Sequence, residues 1–112
     1  MNDLLTHAEY HAIAGDLDFP RTAFIDGKYR AGAGGVFATV NPVTGDPLAE
    51  ISGCNADDVD FAVGKAREAF DQGHWSKTHP SDRKDVLIRL CKLITRNKRE
   101  LAVMESLDSG KP

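Results

Sequence analysis

The sequence predicts an α/β fold: two β-hairpins followed by three α-helices, preceded by a short arm and incomplete without a further sheet. Three observations carry this. An Asp26-Gly27 pair sits between two β-prone runs. A second pair of β-prone runs flanks the turn-rich stretch Asn41-Pro42-Val43-Thr44-Gly45-Asp46-Pro47. After Asn55 the apolar period changes from alternation to the spacing of helices.

In chain order, residues 1–20 form an N-terminal arm. Leu4, Leu5, Ala8, Ala12 and Ile13 mark a short helix that Gly15 and Pro20 end, and the arm is expected to dock loosely. His7 and His11 stand four apart and face one way on such a helix. With no third ligand nearby in sequence they give at most a pair. Asp-Gly between strands signals a hairpin, because a type I′ turn needs positive φ at both central positions. The Gly-rich link of residues 31–35 reads as a flexible turn. Its spacing of Gly32, Gly34 and Gly35 fits no nucleotide fingerprint. Val36–Val40 and Leu48–Ile51 are the strands of the second hairpin. Two hairpins alone are marginal in water and need a partner surface.

Asn55 caps the next helix, with Asp58 at its third position completing a capping box. Val59, Ala62, Val63, Ala66 and Phe70 then line one buried face, and Gly73 stops the helix. Trp75, in the following link, is expected to pack as a core plug. Pro80 opens a second helix, whose buried stripe is Leu87, Leu90, Cys91 and Ile94, widened by Val86 and Leu93. Asn97-Lys98-Arg99-Glu100 reads as the capping box of a third helix with Leu101, Met104 and Leu107 inside and Gly110 as its stop. These stripes require cover, so exposed apolar patches are expected of the chain by itself.

Charge and composition exclude several functions. With 14 basic against 17 acidic side chains the net charge is −3, which is no polycation awaiting nucleic acid. Seven basic residues and one acidic residue fall between Arg83 and Arg99; a solvated helix face accounts for them, with nucleic-acid binding as a minor alternative. No run approaches the roughly 18 apolar residues of a membrane span. Nothing at the N-terminus reads as an export signal, so a cytoplasmic location is expected. Cys54 and Cys91 do not make a disulfide framework and read as ordinary thiols. A helix N-terminus lowers a thiol pKa, but no histidine or second cysteine stands near Cys54 in sequence. The ending Gly110-Lys111 is no phosphate loop: Walker A needs glycine five positions earlier and a hydroxyl residue next, where Glu105 and Pro112 stand.

Four motifs, in order, resemble the N-terminal segment of the aldehyde dehydrogenase superfamily. Phe24-Ile25-Asp26-Gly27 resembles its opening hairpin, and Thr39-Val40-Asn41-Pro42-Val43-Thr44-Gly45 its "NPxTG" turn. Val59–Phe70 with Trp75-Ser76 resembles its first helix and linker. Glu105-Ser106-Leu107-Asp108-Ser109-Gly110-Lys111-Pro112 resembles its "E-(T/S)-LD-x-GKP" signature. The resemblance implies that residues 21–112 are the N-terminal portion of a cofactor-domain region in a longer chain, with the catalytic domain absent. It also implies the cofactor-binding sheet as the missing partner of the hairpins.

The family oxidises aldehydes to acids with NAD or NADP. A cysteine thiolate attacks the aldehyde, hydride passes to nicotinamide, and a glutamate-activated water hydrolyses the thioester. The residues that do this lie beyond Pro112, and neither Cys54 nor Cys91 matches the nucleophile, so the segment is expected to be inactive alone and to bind no cofactor alone. Family members are dimers or tetramers. Many hold Na+ or K+ near the first hairpins, and Thr39, Val40 and Asp108 match those positions; otherwise Asp108 hydrogen-bonds the turn at the helix end. Phe70-Asp71-x-Gly73-x-Trp75-Ser76, Arg83-Lys84-x-Val86-Leu87 and Leu107-Asp108-x-Gly110-Lys111-Pro112 resemble the subclass acting on γ-amino or γ-glutamylamino aldehydes of polyamine breakdown. A non-enzymatic module docking onto other subunits is the alternative.

Overall fold

The computed structural model describes residues 3–112. Its elements run α1 (His7–Asp16), β1 (Ala23–Ile25), β2 (Lys28–Arg30), β3 (Val36–Val40), β4 (Pro47–Ser52), α2 (Ala56–Gln72), α3 (Pro80–Arg96) and α4 (Lys98–Ser109). The strands form two separate antiparallel hairpins, β1–β2 and β3–β4. The two hairpins and three long helices stand as the sequence predicts, with the arm helix α1 before them.

Each local signal acts through an identifiable contact. Asp26 and Gly27 both take positive φ, 54° and 73°, so the first turn is type I′ and pairs Ile25 with Lys28. In the second turn, Asn41 N–H donates to the Asp46 carbonyl at 2.9 Å and Gly45 N–H to the Asn41 carbonyl at 2.8 Å. Gly45 sits at φ 79°, where a side chain is strained. A bulge at Thr39/Val40 ends that ladder, with Val40 opposite Pro47. Asn55 and Asp58 make the reciprocal capping box of α2, and Gly73 closes it at φ 82°. Thr6 and Glu9 make the same box at α1.

The Gly-rich link departs from expectation, because it is bound rather than free. Gly34 N–H donates to the Gly53 carbonyl at 2.9 Å and Gly53 N–H to the Gly35 carbonyl at 2.7 Å. Gly32 N–H donates to Ser52 Oγ at 2.8 Å, and Ala33 N–H to Asp58 Oδ2 at 2.7 Å. The backbones lie so close that a Cβ on Gly34 would fall 2.6 Å from the Cys54 carbonyl carbon. The glycines allow close approach and do not loosen the chain. With the N–H groups of Gly32, Ala33 and Gly34 already donated, the link has none of these left for a phosphate.

Asp58 is therefore both a helix cap and the staple of this link. The N–H groups of Ala33 and then Asn55 hold its carboxyl below the usual aspartate range. Since the folded value lies below the unfolded one, near 4, its stabilisation is complete above that value. It disappears as pH falls through the lowered one. Amide exchange at Ala33 is expected to accelerate over that acid range, and Asp58→Asn should flatten the dependence. An unchanged acid profile in the variant would assign the effect to another carboxylate.

Two expectations fail, and the expected exposure of the helix stripes is met, for one reason. Cys91, placed in a core by its spacing, is exposed. Trp75 is not a plug but 45% exposed, and the predicted inner faces of α2 and α3 lie open, with Val63 62% and Leu87 51% exposed. Among the described residues the only buried hydrophobic is Ala49. The elements form one slab, 48 × 41 × 19 Å, so no second layer covers the stripes. A further departure is local. Asn97 spends its side chain closing α3, Nδ2 donating to the Leu93 carbonyl at 2.8 Å, so α4 begins without a side-chain cap.

Candidate cation-binding groove

The C-terminus of α4 meets the second hairpin at its turn. Gly110, at φ 74°, ends α4 against Pro42: a Cβ there would reach the Pro42 ring at 3.0 Å. A groove of about 370 Å³ is lined by Thr39, from β3, and by Glu105 and Asp108, from α4, together with Ala49, Ile51 and Met104. Two of the three expected cation residues, Thr39 and Asp108, are thus brought together. Val40 stands at the bulge beside them, 48% exposed, and is not part of the groove's lining.

The electrostatics separate the two carboxylates. Glu105 is engaged, because Lys111 Nζ donates to Oε1 at 2.8 Å. That contact lowers the Glu105 pKa and raises that of Lys111. Asp108 has no such partner, and among the described residues its carboxylate makes no hydrogen bond or salt bridge. The helix end is closed by others. Ser109 Oγ donates to the Glu105 carbonyl at 2.7 Å, and Gly110 N–H to the Ser106 carbonyl at 2.9 Å. Ser106 Oγ reaches the Lys111 carbonyl at 2.5 Å. Asp108 is therefore not consumed by the turn.

The donor set is of the kind a hard monovalent cation takes: one unengaged carboxylate and backbone oxygens at a strand irregularity. Val40 pairs with Pro47, which has no N–H to offer its carbonyl. Thr39 Oγ1 is weakly committed to the Ala49 carbonyl at 3.4 Å. Among the described residues no cluster of three or more His, Cys, Asp or Glu side chains forms a site for a multivalent ion. The sequence showed the Gly110 stop. It did not show that Lys111 takes Glu105 and leaves Asp108, since both contacts depend on how the chain turns after α4.

The hairpins are tied to the helices by few contacts. Arg30 stacks its guanidinium 4.1 Å over the Phe61 ring, and Lys65 lies 3.9 Å from Asp26. Cys54 lies against Gly32, and Cys91 sits within α3.

Residues 29–112 match the aldehyde dehydrogenase family. The chain is 52% identical to aminoacetaldehyde dehydrogenase of Pseudomonas aeruginosa over 113 aligned residues, covering all of this chain and 23% of that protein. A gamma-glutamyl-gamma-aminobutyraldehyde dehydrogenase structure from Burkholderia cenocepacia superposes with a TM-score of 0.91 at 42% identity, over 96% of this chain and 22% of its own. The P. syringae AldA indole-3-acetaldehyde dehydrogenase, solved as a mutant with NAD+ and IAA, matches at a TM-score of 0.91 and 44% identity, over 97% of this chain and 22% of its own. The chain spans about a quarter of the length of the curated relative it matches in full. Among the described residues no helix is long and apolar enough to cross a membrane.

Proposed function

Since this chain belongs to the aldehyde dehydrogenase family, we propose that it is the amino-terminal portion of an oxidoreductase that converts aldehydes to carboxylic acids with NAD(P)+. Residues 21–112 would be part of its cofactor-domain region and residues 1–20 an arm. Its task is structural: the hairpins and helices present exposed apolar side chains for the rest of the fold, the cofactor-binding sheet among it, to cover. The observation that carries this is the open slab itself. It exposes 8716 Å², where a compact chain of 12.2 kDa exposes about 6,100 Å². The excess, about 2,600 Å² on this side alone and so about 5,000 Å² over both partners, is at the upper end of obligate interfaces. Turnover needs a nucleophile and base that the rest of a family-length chain supplies, so the segment alone neither oxidises aldehyde nor holds nicotinamide.

The test is an exchange. These 112 residues replace the matching part of the P. aeruginosa aminoacetaldehyde dehydrogenase. The chimera is expected to assemble and reduce NAD+ with its aldehyde, and the segment alone to reduce none. A soluble chimera without activity would overturn the reading. The proposed substrate class is amino aldehydes of polyamine breakdown, a reading supported by the aminoacetaldehyde and gamma-glutamyl-gamma-aminobutyraldehyde dehydrogenases among the relatives. Comparing kcat/KM for amino and unsubstituted aldehydes, in the family-length enzyme that carries this segment, tests it.

A Na+ or K+ site is proposed at Thr39 and Asp108 of the groove with Val40 at the adjoining bulge, Asp108 balancing the charge. A ligand that binds only the folded state at 100 times its Kd stabilises by about 2.7 kcal/mol. In the chimera, Asp108→Asn is expected to remove the rise in Tm on adding KCl or NaCl over choline chloride at equal ionic strength. A rise that persists in the variant would place any ion elsewhere.

A further inference from the structure

The arm carries a second arrangement of donors, independent of the groove and of the proposed activity. The Thr6–Glu9 capping box fixes the start of α1, so His7 and His11 fall one turn apart on one face. Their ring centroids lie 4.5 Å apart with planes tilted 60°. Both rings line one groove of about 650 Å³ between α1, the Asn41–Thr44 turn and the end of α4, and both residues are exposed.

The other two histidines are committed. His74 Nε2 lies 2.7 Å from Gln72 Oε1, and His79 Nδ1 lies 2.8 Å from Ser81 Oγ and caps α3. Among the described residues neither the His7 nor the His11 ring makes a hydrogen bond, so their nitrogens are not claimed by the protein. No third His, Cys, Asp or Glu joins them among the described residues. The remaining coordination positions would be water.

We propose that His7 and His11 form an open, two-imidazole chelating site for a divalent d-block cation. Imidazole suits Cu2+, Ni2+ and Zn2+, and at a site that imposes no geometry of its own Cu2+ binds most tightly. The chelate ties successive turns of α1, a ten-residue helix too short to be stable without outside support. Metal therefore holds the arm helical.

The test adds Cu2+ alone to the family-length chimera that carries this segment and, against the same chimera with both His7 and His11 changed to Ala, reads affinity by titration and the number of bound imidazoles by nitrogen superhyperfine splitting. Two nitrogens are expected. The second ligation is intramolecular, so His7→Ala or His11→Ala should weaken binding on the order of 100-fold. Combining His11→Ala with Ala12→His keeps the histidine count but moves the second ring off the face, and should weaken it equally. Substituting His74 or His79 should change nothing. Affinity that follows histidine count and not spacing, or a single coupled nitrogen, would overturn the site.

Discussion

Gly34→Ala is expected to be strongly disruptive for a single added methyl. A Cβ at Gly34 would lie 2.6 Å, 2.7 Å and 2.9 Å from the carbonyl carbon, oxygen and amide nitrogen of Cys54. These are backbone atoms that cannot rotate away, so the strands must part. Parting stretches the Gly34–Gly53 and Gly53–Gly35 hydrogen bonds. Overpacking costs about 1–3 kcal/mol, and each strained bond adds about 1 kcal/mol. Loss of amide-exchange protection at Gly34 and Gly53 reads the effect locally. Gly64→Ala is the control: Gly64 lies within α2 and a Cβ there meets nothing within 4 Å. It should raise the helical circular dichroism signal, since alanine is favoured over glycine in a helix by about 0.5–1 kcal/mol. Protection at Gly34 and Gly53 that survives the first change would show that the link can shift.

The second expected result is that the purified 112-residue chain binds hydrophobic dye strongly, self-associates and melts without a sharp transition. Its radius of gyration is 17.9 Å, where a compact chain of this length has about 13 Å. Val36, Phe37, Phe70, Leu90 and Ile94 are each about half exposed or more. Apolar burial stabilises by about 25 cal/mol per Å², and a slab with one buried hydrophobic among its described residues has little of it to set against chain entropy. In the chimera with the P. aeruginosa enzyme the same residues should be protected and dye binding lost. A sharp, monomeric, dye-free melt of the isolated chain would contradict the reading of an incomplete fold.

Local chemistry was legible. The Asp26-Gly27 turn, the Asn55–Asp58 box, Pro80 in the first turn of α3 and the stops at Gly73 and Gly110 each depend on a few neighbouring residues, and each stands as its pattern predicts. Periodicity also marked apolar stripes along α2 and α3. It did not tell which stripes have a partner. Cys91 and Trp75 were assigned to a core on the assumption that the chain supplies both layers, and the slab supplies one. The Gly-rich link shows the opposite limit. Glycines permit mobility and close approach alike, and only Ser52, Gly53 and Asp58, more than 15 residues away in sequence, made this link a bound one.

By itself the sequence determined the hairpins and the three long helices, the cap of α2, the turns and the family motifs, because these rest on interactions within a few residues. The tertiary structure decided the rest: that Asp58 staples the link, that Lys111 takes Glu105 and leaves Asp108 unpaired in the groove, and that Cys91 and Trp75 stay exposed. Those outcomes depend on which distant segments meet, and on the free energy of covering surface that these residues leave to a partner.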